Sequence, residues 1–202
     1  MLHQARLSQA TSITALVVML VAVIVSPIAA AAKVDISQFC PVLDGDWQGS
    51  AAKHGVAPRE VTTSAICSSD KRNLMLTVSR GDSNPNSEVW WFRAQGSEVL
   101  LTYTDGVGED REQLFSLYQR GDSFTFLGKG KLNQRPALIR LRFEPRSSVA
   151  AKQGPSGSEQ SATTWLWRQS AHYLDDDSEQ YQLIRAIELS PISKSKPVNL
   201  SQ

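Results

Sequence analysis

Residues 135–144 alternate strictly: Ala137, Ile139, Leu141 and Phe143 fall on one side, and Leu138, Arg140, Arg142 and Glu144 on the other. A period of two marks a strand with one face in a core and the other toward water. A chain that repeats such segments at short intervals, with turn residues between them, has few options beyond an antiparallel sheet that closes or doubles back. Ten segments of this kind are expected, at about 42–53, 60–68, 72–80, 87–95, 97–104, 111–120, 123–131, 135–144, 161–174 and 180–190. Gly81 to Asn86, Gly96-Ser97, Asp105 to Asp110, Arg120-Gly121-Asp122 and Asp175 to Asp177 have the composition of turns. No helix is expected after residue 32. The fold class is therefore all-β, an antiparallel meander closing as a barrel, with a two-sheet sandwich as the alternative. Closure would remove the exposed strand edges.

Some segments declare their inner face and others do not. Leu74, Leu76 and Val78 share one side of the third segment. Phe124, Phe126 and Gly128 share a side of the seventh, Thr163, Trp165, Trp167 and Gln169 of the ninth, and Tyr181, Leu183, Arg185 and Ile187 of the tenth. The fourth contains Val89-Trp90-Trp91-Phe92, apolar on both sides, which leaves the direction of Arg93 open. Arg140 and Arg142 alternate with core residues and are expected to face solvent.

Residues 1–32 have the pattern of an export signal. Arg6 is the only Lys, Arg, Asp or Glu before Lys33, Ile13 to Val25 is uncharged and apolar, Pro27 ends the run, and Ala29 to Ala32 supply small residues for cleavage. A cut is expected after Ala30, Ala31 or Ala32, and an uncleaved anchor is the alternative. One β domain is expected over 33–190. Pro145 to Ser161 reads as a mobile loop, and residues 191–202 as a disordered tail. The protein is expected to be secreted or periplasmic and monomeric, touching a membrane only through the leader if that is retained.

The chain has two cysteines, Cys40 and Cys67, both beyond the leader. An even count in an oxidising compartment points to one disulfide, tying the approach to the first segment to the second. Lys and Arg total 21 against 20 Asp and Glu, so no basic field for a nucleic acid is present. No metal site or cofactor is expected: two thiols without a His pair do not hold zinc, His172 lacks a spaced second ligand, and Asp175 to Asp177 lack the calcium-loop pattern.

Val42-Leu43-Asp44-Gly45-Asp46-Trp47-Gln48-Gly49 sets a large aromatic between two glycines at the start of the meander. Gly45-Asp46-Trp47 resembles the Gly-x-Trp motif that opens the first strand of lipocalin-like barrels, the calycins. The Trp167-Arg168-Gln169-Ser170 stretch, followed by an Asp-rich turn and an Arg-containing strand, resembles the end of bacterial members. The resemblance implies that Trp47 closes the barrel floor and that an Arg near the last strand, Arg185 by position, covers it. The chain departs from that family in lacking its Thr-Asp-Tyr signature, Tyr103-Thr104-Asp105 having another order, and in having ten segments against the usual eight.

The aromatic set is the constellation from which a function is read. Trp91, Arg93, Tyr103, Phe124, Phe126, Trp165 and Trp167 are the candidate ligand-binding residues, with Trp47 and Arg185 structural. An apolar lining with one or two polar groups selects a small hydrophobic ligand, and the same rings packed solid would be an ordinary core. The loops at 105–110 and 145–160 are expected to gather at the mouth opposite Trp47. Gly81-Asp82-Ser83 and Gly121-Asp122-Ser123 echo an esterase nucleophile block. Both lie at turns, and beyond the leader only His54 and His172 offer an imidazole base. The expectation is a non-enzymatic binding barrel. A surface or inhibitor-type interaction module is the first alternative, to be recognised by an exposed apolar patch beside Trp90 or Trp91, and a hydrolase the second.

Overall fold

The computed structural model describes residues 30–81, 86–147, 163–176 and 180–192. Residues 1–29 of the expected leader, 148–161 of the expected loop and 193–202 of the expected tail lie outside the described residues, as do 82–85, 162 and 177–179. Pro145 to Ser147, expected in the loop, instead extend a strand, and Pro191, expected in the tail, ends one. Eleven strands form: β1 (Ala32–Lys33), β2 (Gly45–Lys53), β3 (Arg59–Cys67), β4 (Asn73–Ser79), β5 (Glu88–Gln95), β6 (Glu98–Thr104), β7 (Arg111–Arg120), β8 (Ser123–Leu132), β9 (Arg135–Ser147), β10 (Thr163–Tyr173) and β11 (Gln182–Pro191). Each strand from β2 to β11 pairs antiparallel with its neighbours in sequence, and β11 pairs back onto β2. The result is a closed ten-stranded meander with one extra strand, as the alternation implied. The sandwich alternative falls, because the ladder has no break.

The inner faces follow the period of two. Leu74, Leu76 and Val78 of β4, Phe115 and Leu117 of β7, and Ile139, Leu141 and Phe143 of β9 are all buried. Arg140 and Arg142 stand on the outer wall. Closure depends on a glycine at the seam. Gly49 faces Leu189 across the β2–β11 ladder, and a Cβ there would sit 1.7 Å from the Glu188 carbonyl oxygen. Any side chain would force the two strands apart.

Two elements depart from expectation: β1, which none of the ten expected segments included, and a helix. Residues 36–43, of which the alternation places 42–43 in the first strand, form a helix, α1 (Ile36–Leu43). Ile36, Phe39, Cys40 and Leu43 are buried, at the i, i+3, i+4, i+7 spacing of a helix face. Pro41 lies within the helix on its exposed side, where it removes one backbone donor. Gly45, at φ +124°, turns the chain into β2 with a backbone conformation that L side chains rarely adopt. The Trp47 indole N–H then donates to the Leu43 carbonyl oxygen at 2.8 Å, satisfying one of the acceptors a helix C-terminus leaves open. A disulfide between Cys40 and Cys67 fastens α1 to the end of β3. It is consistent with an oxidising compartment.

Thus α1 plugs one end of the barrel. The Phe39 ring is fully buried among Phe143 at 4.7 Å, Phe126 at 5.0 Å, Phe124 at 5.2 Å and Phe92 at 6.3 Å between centroids. From there aromatic contacts run on through the interior. Phe143 stacks on Trp167 at 5.2 Å, and Trp167 meets Trp90 edge to face at 4.5 Å. Just ahead of the plug, β1 occupies a ladder position on β7. The first half of β7 pairs with β6, and its second half pairs with β1 through Ala32↔Gln119 and Lys33↔Tyr118. Lys33 anchors the arm through an ion pair to Glu98 at 2.7 Å.

Candidate functional site

The end of the barrel opposite α1 is its mouth. Pro191 faces Trp47 across the β2–β11 ladder, whereas Arg185 faces Lys53, so Trp47 and Arg185 mark opposite ends. This corrects the expectation that Arg185 covers Trp47: the floor over Trp47 is supplied by α1. The strand ends that flank the two loops expected at one mouth lie at different ends. Residues 105–110 join β6 to β7 at the mouth, while Ser147 and Thr163, which flank residues 148–162, pair at the Trp47 end.

The candidate ligand residues do not line one cavity. Trp91 and Arg93 stand on the outer wall. Trp91 is 39% exposed, and the Arg93 guanidinium lies 4.2 Å above its ring and bonds Thr102 and Glu112. The physical reason is the parity of β5. Glu88, Trp90 and Phe92 take the inner face, so Trp91 and Arg93 take the outer. Phe124 and Phe126 pack around Phe39, Trp165 is buried near the plug, and Trp167 fills the middle of the interior. Phe124 and Trp165 share an open cavity beside α1 with Gln38 and Val42, and Tyr103 alone of the set lies near Arg185, its ring 5.5 Å from the guanidinium. The aromatic set is mainly a filled core.

A second parity change brings the mouth together. The β10–β11 ladder pairs Gln169 with Arg185 and Ser170 with Leu183, leaving Ile184 as an extra residue in a bulge. Leu183 therefore turns outward and is 45% exposed, although simple alternation places it with Arg185 and Ile187. Ile184 packs against the core, and Arg185 enters the interior beside it.

Arg185 there meets a buried carboxylate from β5. Glu88 Oε2 accepts from Arg185 at 2.6 Å, and its Oε1 accepts from Arg80 at 2.7 Å. The Arg185 guanidinium also lies 5.0 Å from the Trp90 ring and 5.5 Å from the Tyr103 ring. Burial works to raise the Glu88 carboxyl, but the charges and hydrogen bonds of Arg185 and Arg80 outweigh it and hold the group below its ordinary range. Burial pushes the Tyr103 phenol up, with Arg185 opposing.

Arg185 separates two spaces. On the side of β6 to β9, a cavity of about 110 Å³ is lined by Trp90, Tyr103, Gln113, Gln169 and Ile184 among others, with Arg111 and Lys131 near the mouth ends of β7 and β8. On the side of β2 to β5, a mouth cavity of about 250 Å³ has apolar walls from Ala51, Val56, Ala57, Val61, Val78 and Ile187, with Lys53, Arg59, Arg80, Arg185 and Glu88 as its charged lining. Sequence reasoning missed Arg80, Glu88 and the walls from β2 and β3. Among the described residues, no group of three or more His, Cys, Asp or Glu is placed to hold a metal ion.

Fold and site together define a closed antiparallel barrel, plugged at one end and open to a small charged cavity at the other. That architecture is consistent with a lipocalin-like fold. No family model matches the chain, and no curated protein matches it.

Proposed function

We propose that this chain is an exported, non-enzymatic binding barrel that takes a small, mostly apolar molecule at its mouth. The observation that carries the reading is the mouth cavity of about 250 Å³, walled by alanine, valine and isoleucine, while aromatic rings pack the interior between it and α1. A concave apolar surface with a few placed polar groups is the usual form of a small-molecule site, although such sites commonly run from about 300 Å³ upward. The ligand is correspondingly small. Export is supported by the leader pattern of residues 1–32 and by the disulfide. Tryptophan emission tests the reading, since Trp90 lies beneath Arg185 at the base of the mouth. A panel of small apolar dyes and amphiphiles is expected to shift that emission saturably at micromolar levels. Ala51→Phe, which fills the cavity, is expected to abolish the response. If no member saturates, the small-ligand reading is dropped.

One observation favours a second reading. Ile66, Met75 and Trp91 face one another in sequence across the ladders of β3, β4 and β5, and are 59%, 42% and 39% exposed. Such a contiguous outer apolar row beside Trp91 is the mark of an interaction module. Concentration-dependent sedimentation that Trp91→Ser removes would support this reading over the first.

A further inference from the structure

We propose that the mouth cavity is an acid-recognition site, and that the molecule it takes is a medium-chain carboxylate whose acid group pairs with Arg80 and its basic neighbours. The inference rests on the ligand-binding reading above and names the chemistry of the ligand.

Charge excess is the first argument. Among the described residues, Lys53, Arg59, Arg80 and Arg185 line the cavity, and Glu88 is the one acid that does. One ionised carboxylate leaves this small apolar space with surplus positive charge. A neutral ligand would cover those cations without replacing the water they lose, which is unfavourable. A carboxylate would replace that water with charge-assisted hydrogen bonds.

Geometry is the second. Glu88 engages each guanidinium through a single oxygen, Oε1 toward Arg80 and Oε2 toward Arg185. The pair already seats one carboxylate between two guanidinium groups, so the mouth is chemically suited to that anion. Arg80 keeps donors beyond the one given to Glu88 and stays partly open, its side chain 30% exposed. The Arg185 Nε is buried and has no hydrogen-bond partner among the described residues. Glu88 thus holds Arg185 in place at the base, while Arg80, Arg59 and Lys53 remain for an incoming acid. The apolar body has Val61, Val78 and Ile187 to cover it, and a volume of about 250 Å³ limits its length.

The experiment is calorimetric titration of the full chain with decanoate and, separately, with decanol, which has the same chain length and no charge. Decanoate is expected to bind with micromolar affinity and about tenfold or more tighter than decanol, the effect of one charge-assisted hydrogen bond. Arg80→Met, which keeps an apolar side chain in place, is expected to remove most of that preference while decanol binding persists. Arg59→Met, at the exposed rim, serves as a second variant should Arg80→Met fail to fold. Glu88→Gln is expected to strengthen decanoate binding several-fold, because it removes the resident competitor. Equal affinity for the two probes in the unmodified protein overturns the acid site and leaves the apolar cavity standing. Absence of binding by either overturns both readings. A preference for decanoate that survives every substitution places the acid elsewhere and overturns the assignment.

Discussion

The two ends of this barrel are held by different physics. At the plugged end, Phe39 inserts among four phenylalanines, Cys40 is bonded to Cys67, and Trp47 is tied to the last residue of α1. The contacts there are mainly apolar or covalent, with the buried Thr63 hydroxyl across the ladder from Trp47 as an unpaired polar exception among the described residues. At the mouth, a buried carboxylate sits between two arginines beside a cavity, and the ring of Trp90 is roofed by a guanidinium. Burial of apolar area contributes steadily to stability, whereas a buried ion pair often returns little net stability and confers geometry instead. The contrast teaches that apolar packing and buried charge have been separated along one barrel axis.

The largest test of that contrast is Phe39→Ala. Removing a fully buried ring costs about 3–5 kcal/mol, which urea unfolding would register as a clear drop in midpoint. A loss under about 1 kcal/mol would mean the plug is dispensable. Next comes reduction of Cys40–Cys67, whose loss is expected to cost about 2–4 kcal/mol while leaving the strands formed. Far-UV circular dichroism checks the second half of that statement, since most of the barrel follows Cys67. A collapse of the β signal on reduction would make the plug the foundation of the fold.

The mouth is expected to respond less, and in a pH-dependent way. Glu88 has a carboxyl held below its ordinary range when folded. Its contribution is therefore complete above the unfolded value of about 4.3, and is lost as pH falls through the lowered folded value. Glu88→Gln is expected to cost about 1–3 kcal/mol at neutral pH by leaving two guanidinium groups without their anion. The same variant should flatten the stability profile below about pH 4. A profile identical to that of the unmodified protein would show that the pair contributes nothing to folding. Trp90 emission, followed in parallel, reports whether Arg185 has moved from its ring.

Much of the barrel was legible because alternation is a local property. Strand β7 (Arg111–Arg120) coincides with its expected segment, and most other boundaries shift by a residue or two. The plug was legible in principle. Ile36, Phe39, Cys40 and Leu43 carry a helix spacing, but the run is short, contains Pro41, and continues into the glycine-flanked tryptophan that reads as strand. The mouth was not. Glu88 and Arg185 are 97 residues apart, and their meeting depends on which strands join when the sheet closes and on a one-residue bulge in β11. Alternation is silent on both. It also could not say which of Trp90 and Trp91 points inward, since both faces of β5 are apolar at that point.

The seam between β2 and β11 has a consequence in time. The chain is made from its amino terminus, so Cys40 and Cys67 can meet, and α1 can seat against β3 and β4, while the later strands do not yet exist. Gly49, by contrast, waits for Leu189. Closure is thus a late event that joins the two ends of the meander, and contacts so distant in sequence form slowly. Until then β2 and β11 are both open edges, able to pair with strands of other chains. A substitution at Gly49 that merely delays closure would appear first as aggregation during synthesis, before any loss of stability in the finished barrel.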